Sequence, residues 1–170
     1  MTLFHHQQEI LTAEQADYGQ ICDWLYHQLK PAFKDKPKLV HLEKGGYTDT
    51  AAPWISLCTT ASLNAFAQAT NTQADMRRFR LNLLIDSDQA FEEFSWVGKI
   101  LHIGDVELEI IEPVGRCSAI NAHQDTGEIE ADFLSQMPEL FGHTDLGVFA
   151  RVKQPGKINS GDKVVLGHSL

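Results

Sequence analysis

From Val106 the chain alternates: Val106, Leu108 and Ile110 stand against Glu107, Glu109 and Ile111. A period of two is the mark of a half-buried strand. Lys99 to Ile103 reads as its partner, with Gly104-Asp105 as the turn of a hairpin. Trp54 to Cys58 is a short apolar run suited to a buried strand, after which Thr59 or Thr60 caps an alanine-rich helix, Ala61 to Ala69. Met76 to Asp86 reads as a strand with Phe79, Leu81, Leu83 and Ile85 on one face and Arg78, Arg80 and Asn82 on the other. Further strands are expected at Lys38 to Leu42, from Cys117 to Asn121, over Gly147 to Lys153, and in the closing Gly156 to Leu166.

Helical spacing is scarcer. Tyr18, Ile21, Cys22, Leu25 and Leu29 form an apolar stripe that stops before Pro31, and Thr12-Ala13-Glu14-Gln15 fits a capping box opening it. Phe91 to Trp96 suits a helical turn, and Ala131 to Met137 a weak helix ended by Pro138. Many short strands with few helices predict a mainly β fold, a compact β-barrel with peripheral helices.

At 170 residues and 43% hydrophobic, the chain is sized for one good core. We expect a barrel over 51–170 and a reduced amino-terminal region, 1–50, packing on it. The formal net charge of -9 argues against nucleic acid and anionic membranes as partners. No signal peptide or membrane-spanning run is visible. Three unclustered cysteines, Cys22, Cys58 and Cys117, suit a reducing cytoplasm and offer no C-x-x-C zinc or iron–sulfur spacing.

Chemistry concentrates after the alternating strand. Glu112-Pro113-Val114-Gly115 breaks the pattern and delivers Arg116-Cys117 at a bend. A thiol beside a guanidinium there is a candidate nucleophile or metal ligand. Adjacent strand residues face opposite sides, so Arg116 is the second choice for an anion and Arg80 the first. Arg77, Arg78 and Arg80 concentrate positive charge in an acidic chain, and Arg78 and Arg80 in a row with Asn82 make a pattern suited to a phosphate. The loop Gly45 to Pro53 adds hydroxyls, Thr50 among them, that suit an oxyanion. Cys22 and Cys58 read as inert core, Glu92-Glu93 as a solvated turn, His123 and His143 as exposed loop residues, and Asp125 as the cap of its turn.

These pieces resemble the MOSC domain, named for the carboxy-terminal domain of molybdenum-cofactor sulfurases. The resemblance rests on Arg78-Phe79-Arg80-Leu81-Asn82-Leu83 before Ile85-Asp86, Phe91-Glu92-Glu93 through Trp96-Val97-Gly98, Arg116-Cys117, and Asp125-Thr126-Gly127-Glu128. Gly147 to Val152, Gly156-Lys157-Ile158 and Gly161-Asp162 look like the family's last strands, so the likeness runs from about Trp54 to Leu166. It implies a β-barrel that binds molybdenum cofactor. Cys117 would then ligate molybdenum or carry sulfur as a persulfide, with Arg80 and Asn82 on the pterin's phosphate and Arg116 beside the thiol. Leu81 stands where members of the amidoxime-reducing type have proline, the amino-terminal region is unlike theirs, and no ferredoxin is fused.

Three functions follow from that resemblance. One is a reductase component for N- or S-oxygenated compounds, served by a separate electron-donor protein. A second is a sulfur carrier loaded by a cysteine desulfurase. The third is a non-catalytic module for a phosphorylated small molecule. A partner chain or a homodimer completing the pocket is compatible with the short amino-terminal region.

Overall fold

The computed structural model describes residues 2–5, 8–12, 18–29, 34–40 and 52–167. The chain divides into two units, Met1–Gly45 and Gly46–Leu170. In the first, β1 (Thr2–His5) and β2 (Gln8–Thr12) pair antiparallel, and α1 (Gly19–Leu29) buries Ile21 and Cys22. Thr12 therefore closes a strand rather than capping a helix, and α1 begins later, at Gly19. Helix α1 ends before Pro31, as the missing amide of proline requires. Lys38 to Val40 form no strand; the rest of that candidate, and the 45–51 part of the hydroxyl loop including Thr50, lie outside the described residues.

The second unit is a six-stranded sheet. Its strands are β3 (Ile55–Thr59), β4 (Leu83–Ile85), β5 (Ile100–Ile103), β6 (Val106–Gly115), β7 (Asp145–Gln154) and β8 (Val164–Leu166). The order is β4-β3-β7-β6-β5-β8, with only β3 and β4 parallel. The helix α2 (Thr60–Thr70) makes that parallel crossover, and α3 (Phe133–Phe141) precedes β7. The sheet curls into half a barrel with β4 and β8 as its edges, so the fold is mainly β as the strand pattern predicts.

Each sheet face carries its own core. Leu57, Leu108, Ile110, Val148 and Ala150 pack on one; Cys58, Phe66, Phe79, Met137 and Leu146 pack on the other. Leu146 and Val148 are two apart yet serve opposite cores, because β7 bulges between them. Three β7 steps, Asp145 to Val148, oppose two on β6, Gly115 to Pro113. Gly147 sits in that bulge at φ 74°, a left-handed conformation favoured by glycine.

Several local expectations change. Met76 to Phe79 is a 3-10 turn rather than the start of a strand, because the Asp75 carboxylate accepts the Arg77 amide at 2.8 Å and starts a turn. The strand proper is only Leu83–Ile85. Ser118 to Asn121 is likewise a 3-10 turn, closed by the Ile120 amide on the Cys117 carbonyl at 3.2 Å. Helix α3 starts at Phe133, capped by Asp132, and runs through Pro138 to Gly142 at φ 79°. Proline there removes a single intrahelical bond, and burial of Phe133 and Met137 holds the helix on either side. Thr59 is the cap of α2, its hydroxyl accepting the Ser62 amide at 3.1 Å.

Candidate functional site

A cavity of about 530 Å³ opens on the face that carries the second core. Its wall brings together Arg78, Arg80, Asn82, Arg116 and Cys117, every sequence candidate except Thr50. Sequence parity separates Arg116 from Cys117, and the structure does the same. Cys117 is exposed at the first turn beyond β6, and its Sγ has no hydrogen bond among the described residues. Arg116 turns into the wall, donating from Nη1 to Phe79 O at 2.9 Å and from Nε to Leu146 O at 2.9 Å. Its guanidinium lies 5.2 Å from the centre of the Phe79 ring. Burial pushes its pKa down to about 10, against the pull of the Cys58 and Cys117 thiols and the Asp145 carboxylate. It is thus a cation at neutral pH, fixed beside the thiols rather than free to grasp a ligand.

The arginine cluster divides by role. Arg77 is a surface brace, paired with Asp75 at 2.6 Å and Asp125 at 2.7 Å. Asp125 therefore holds a cation from another segment in addition to standing in its turn. Arg78 is buried: it donates to Ile120 O at 2.8 Å and to Glu130 at 2.7 Å, and stands 4.8 Å from the Phe133 ring centre. Its Nε is buried without a hydrogen-bond partner among the described residues, a donor that costs free energy unless something accepts from it. Arg80 alone is exposed and unpaired among the described residues.

Asn82 presents its amide in one sense. Its Oδ1 accepts from the Ser56 amide at 2.8 Å and from the Ser56 hydroxyl at 3.2 Å, which leaves Nδ2 as a donor beside Arg80. Ser56 also donates to the Arg80 carbonyl at 3.3 Å and so holds both residues. Ser56 escaped sequence reasoning, and only its place one strand over from Asn82 reveals its role. The donor set fits a bound oxyanion: a free guanidinium at Arg80 and a free amide NH2 at Asn82 in the same wall. The outward Cys117 thiol adds a soft ligand for a thiophilic metal.

Arg80 pays for its position in backbone strain, with φ 51°. Arg80→Gly is expected to stabilise the fold by about 0.5–1 kcal/mol while removing the free cation. Urea unfolding tests this; a less stable glycine variant would show that the side chain itself holds the turn.

Two expectations are corrected here. Glu93 is fully buried rather than solvated. Its Oε2 accepts from Ser62 at 2.8 Å and Thr59 at 3.0 Å, and its Oε1 from the Cys58 thiol at 3.4 Å. The signal was available: Glu93 and Trp96 are three apart in a 3-10 turn, Glu92 to Trp96, where such residues eclipse. Burial, and then the Glu93 carboxylate, push the Cys58 thiol well above its ordinary range, so it stays protonated and inert. His143 is half-buried among Phe91, Phe94 and Phe141 with ring centres 5.2 to 6.3 Å away, and His123 is half-buried too. No helix among the described residues is long and apolar enough to cross a membrane.

Molybdenum cofactor sulfurase of Drosophila pseudoobscura pseudoobscura is 35% identical over 96 residues, covering 52% of this chain and 12% of that protein. The chain thus matches only about an eighth of the length of that relative. YiiM from Escherichia coli aligns with 21% identity and a TM-score of 0.49 over 68% of this chain and 55% of its own. A crystal structure of a hypothetical protein, 20% identical, aligns with a TM-score of 0.50 over 77% of this chain and 63% of its own, a likeness of fold. The MOSC domain matches residues 47–165, which include the cavity wall and all of the six-stranded sheet but the last residue of β8. The chain belongs to the MOSC domain family.

Proposed function

We propose that this chain binds molybdenum cofactor in the cavity, the phosphate at Arg80 and Asn82 and the metal at Cys117. The observation that carries the reading is the pair of unengaged donors, Arg80 and Asn82 Nδ2, lining the same cavity as an exposed thiol. Bound there, the cofactor would supply two-electron redox chemistry for reducing N- or S-oxygenated compounds, with a separate protein as electron donor. The chain's own residues bind and orient. Arg80 neutralises the phosphate, and Asn82 donates a fixed hydrogen bond because Ser56 occupies its oxygen. Arg116, tied to the Phe79 and Leu146 carbonyls, keeps a fixed positive charge in the wall next to Cys117.

A second reading rests on Cys117 being the exposed cysteine while Cys22 and Cys58 are buried. A thiol so placed is open to a sulfur donor, and the name of the sulfurase relatives supports a sulfur-handling role. The chain would then carry a persulfide on Cys117, loaded by a cysteine desulfurase.

Metal content and intact mass of protein made in a cofactor-producing host separate the readings. Near-stoichiometric molybdenum, lost in Cys117→Ser and reduced in Arg80→Ser, is the expected result. Full molybdenum in Cys117→Ser overturns metal ligation, whereas an added sulfur on Cys117 without metal establishes the carrier. In the same preparations, iodoacetamide is expected to label Cys117 in the native protein and to spare Cys22 and Cys58. Labelling of all three at one rate would contradict the site as described.

A further inference from the structure

We propose that Trp54 and Phe149 form a shelf for a flat conjugated ring, so that one ligand lies with its ring there and its anionic end at Arg80 and Asn82. Strand register makes the juxtaposition. Ser56 pairs with Phe149, and Ile55 with Ala150. Side chains alternate along strands, so Trp54, Ser56 and Phe149 share one face, while Leu57, Val148 and Ala150 serve the core behind it. The two rings lie 5.6 Å apart, inclined by 46°. A planar guest can therefore lie flat on one ring and meet the edge of the other, both favourable arrangements for aromatic groups.

Packing among the described residues does not otherwise explain these rings. Both are half-buried, both line the cavity, and neither belongs to either core cluster. Large aromatics left on the wall of a polar cavity are surface that a ring-bearing ligand would cover. Ser56 also ties the shelf to the anion site, since it pairs with Phe149, stands two residues from Trp54, and donates its hydroxyl to Asn82 at 3.2 Å. Ring and anion are thereby set at neighbouring positions of one cavity. The inference rests on the cofactor reading, because a pterin carrying a phosphate is a ligand of this shape.

Titration with a pterin monophosphate and with the same pterin lacking phosphate tests it, by calorimetry and by quenching of tryptophan fluorescence. Trp54→Leu and Phe149→Leu are each expected to weaken both pterins about tenfold, the scale of stacking a heteroaromatic base on a side-chain ring. Trp54→Phe should keep most of the affinity, which guards against loss through misfolding. Arg80→Ser should weaken only the phosphorylated pterin. If both leucine variants bind like wild type while Arg80→Ser does not, the shelf is wrong and the cofactor reading stands. If wild-type protein binds neither pterin, the shelf and the cofactor reading fail together.

Discussion

Gly147→Ala is expected to destabilise the protein by about 3 kcal/mol or more. An added Cβ at this position would lie 2.4 Å from the Leu57 carbonyl oxygen and 3.2 Å from the Cys58 Cβ. Neither neighbour can retreat easily: Leu57 and Cys58 are completely buried in β3, a central strand paired on both sides. A left-handed non-glycine residue costs about 1–2 kcal/mol, and overpacking a close-packed site about 1–3. Set against a typical total stability of about 5–15 kcal/mol, that is a large fraction. The damage reaches the site as well, because the bulge presents the Leu146 carbonyl to Arg116. Gly98→Ala is the matched control, for Gly98 has φ 79° and nothing within 4 Å of an added Cβ. It should lose only the conformational part, about 0.5–1 kcal/mol, since the stiffer unfolded chain of alanine offsets some of the left-handed strain. Urea unfolding of the two variants, followed by circular dichroism, gives the comparison. Equal losses would mean that β3 yields and that the contact at Gly147 carries no weight.

The second large effect is expected at Glu93. Glu93→Ala removes the shared acceptor of Thr59, Ser62 and Cys58, which are all buried, and leaves a void behind the turn Glu92 to Trp96. The hydroxyls of Thr59 and Ser62 lie 2.7 Å apart and can partly satisfy each other, and a thiol is a weak donor. The loss is accordingly about 2–4 kcal/mol, from unsatisfied hydroxyls and the cavity together. Glu93→Gln keeps the volume and one acceptor oxygen and should lose less. The same substitution also removes the carboxylate that helps keep the Cys58 thiol protonated. A Glu93→Ala variant with an unchanged urea midpoint would show that the cluster is held by packing alone.

Much of the fold was legible because its signals are local. The alternation from Val106 and the Gly104-Asp105 turn locate the β5–β6 hairpin, and the threonines after Cys58 locate the start of α2. The strand misread at Met76 to Phe79 has a local cause too: the capping carboxylate is at Asp75, just outside the apolar alternation. The candidates Arg80, Asn82, Arg116 and Cys117 were legible as residue types, and they share a cavity. What each arginine does was not. The same guanidinium is a surface brace at Arg77, a buried tie at Arg78, a free cation at Arg80 and a wall fixture at Arg116, and only tertiary partners decide among these. Ser56, Glu93 and the Trp54–Phe149 pair depend on contacts between strands and turns far apart in sequence, which no periodicity records.

Arg80 carries a consequence for how this protein can change. Its left-handed backbone is one that a search for stability alone would assign to glycine. The cation that makes the cavity attractive to an anion therefore stands on the least comfortable conformation in its turn. Mutants selected only for resistance to heat would drift toward glycine there and, on the proposed function, lose ligand affinity as they gained robustness. On that proposal stability and recognition are opposed at one position, and arginine at 80 is the compromise in favour of recognition.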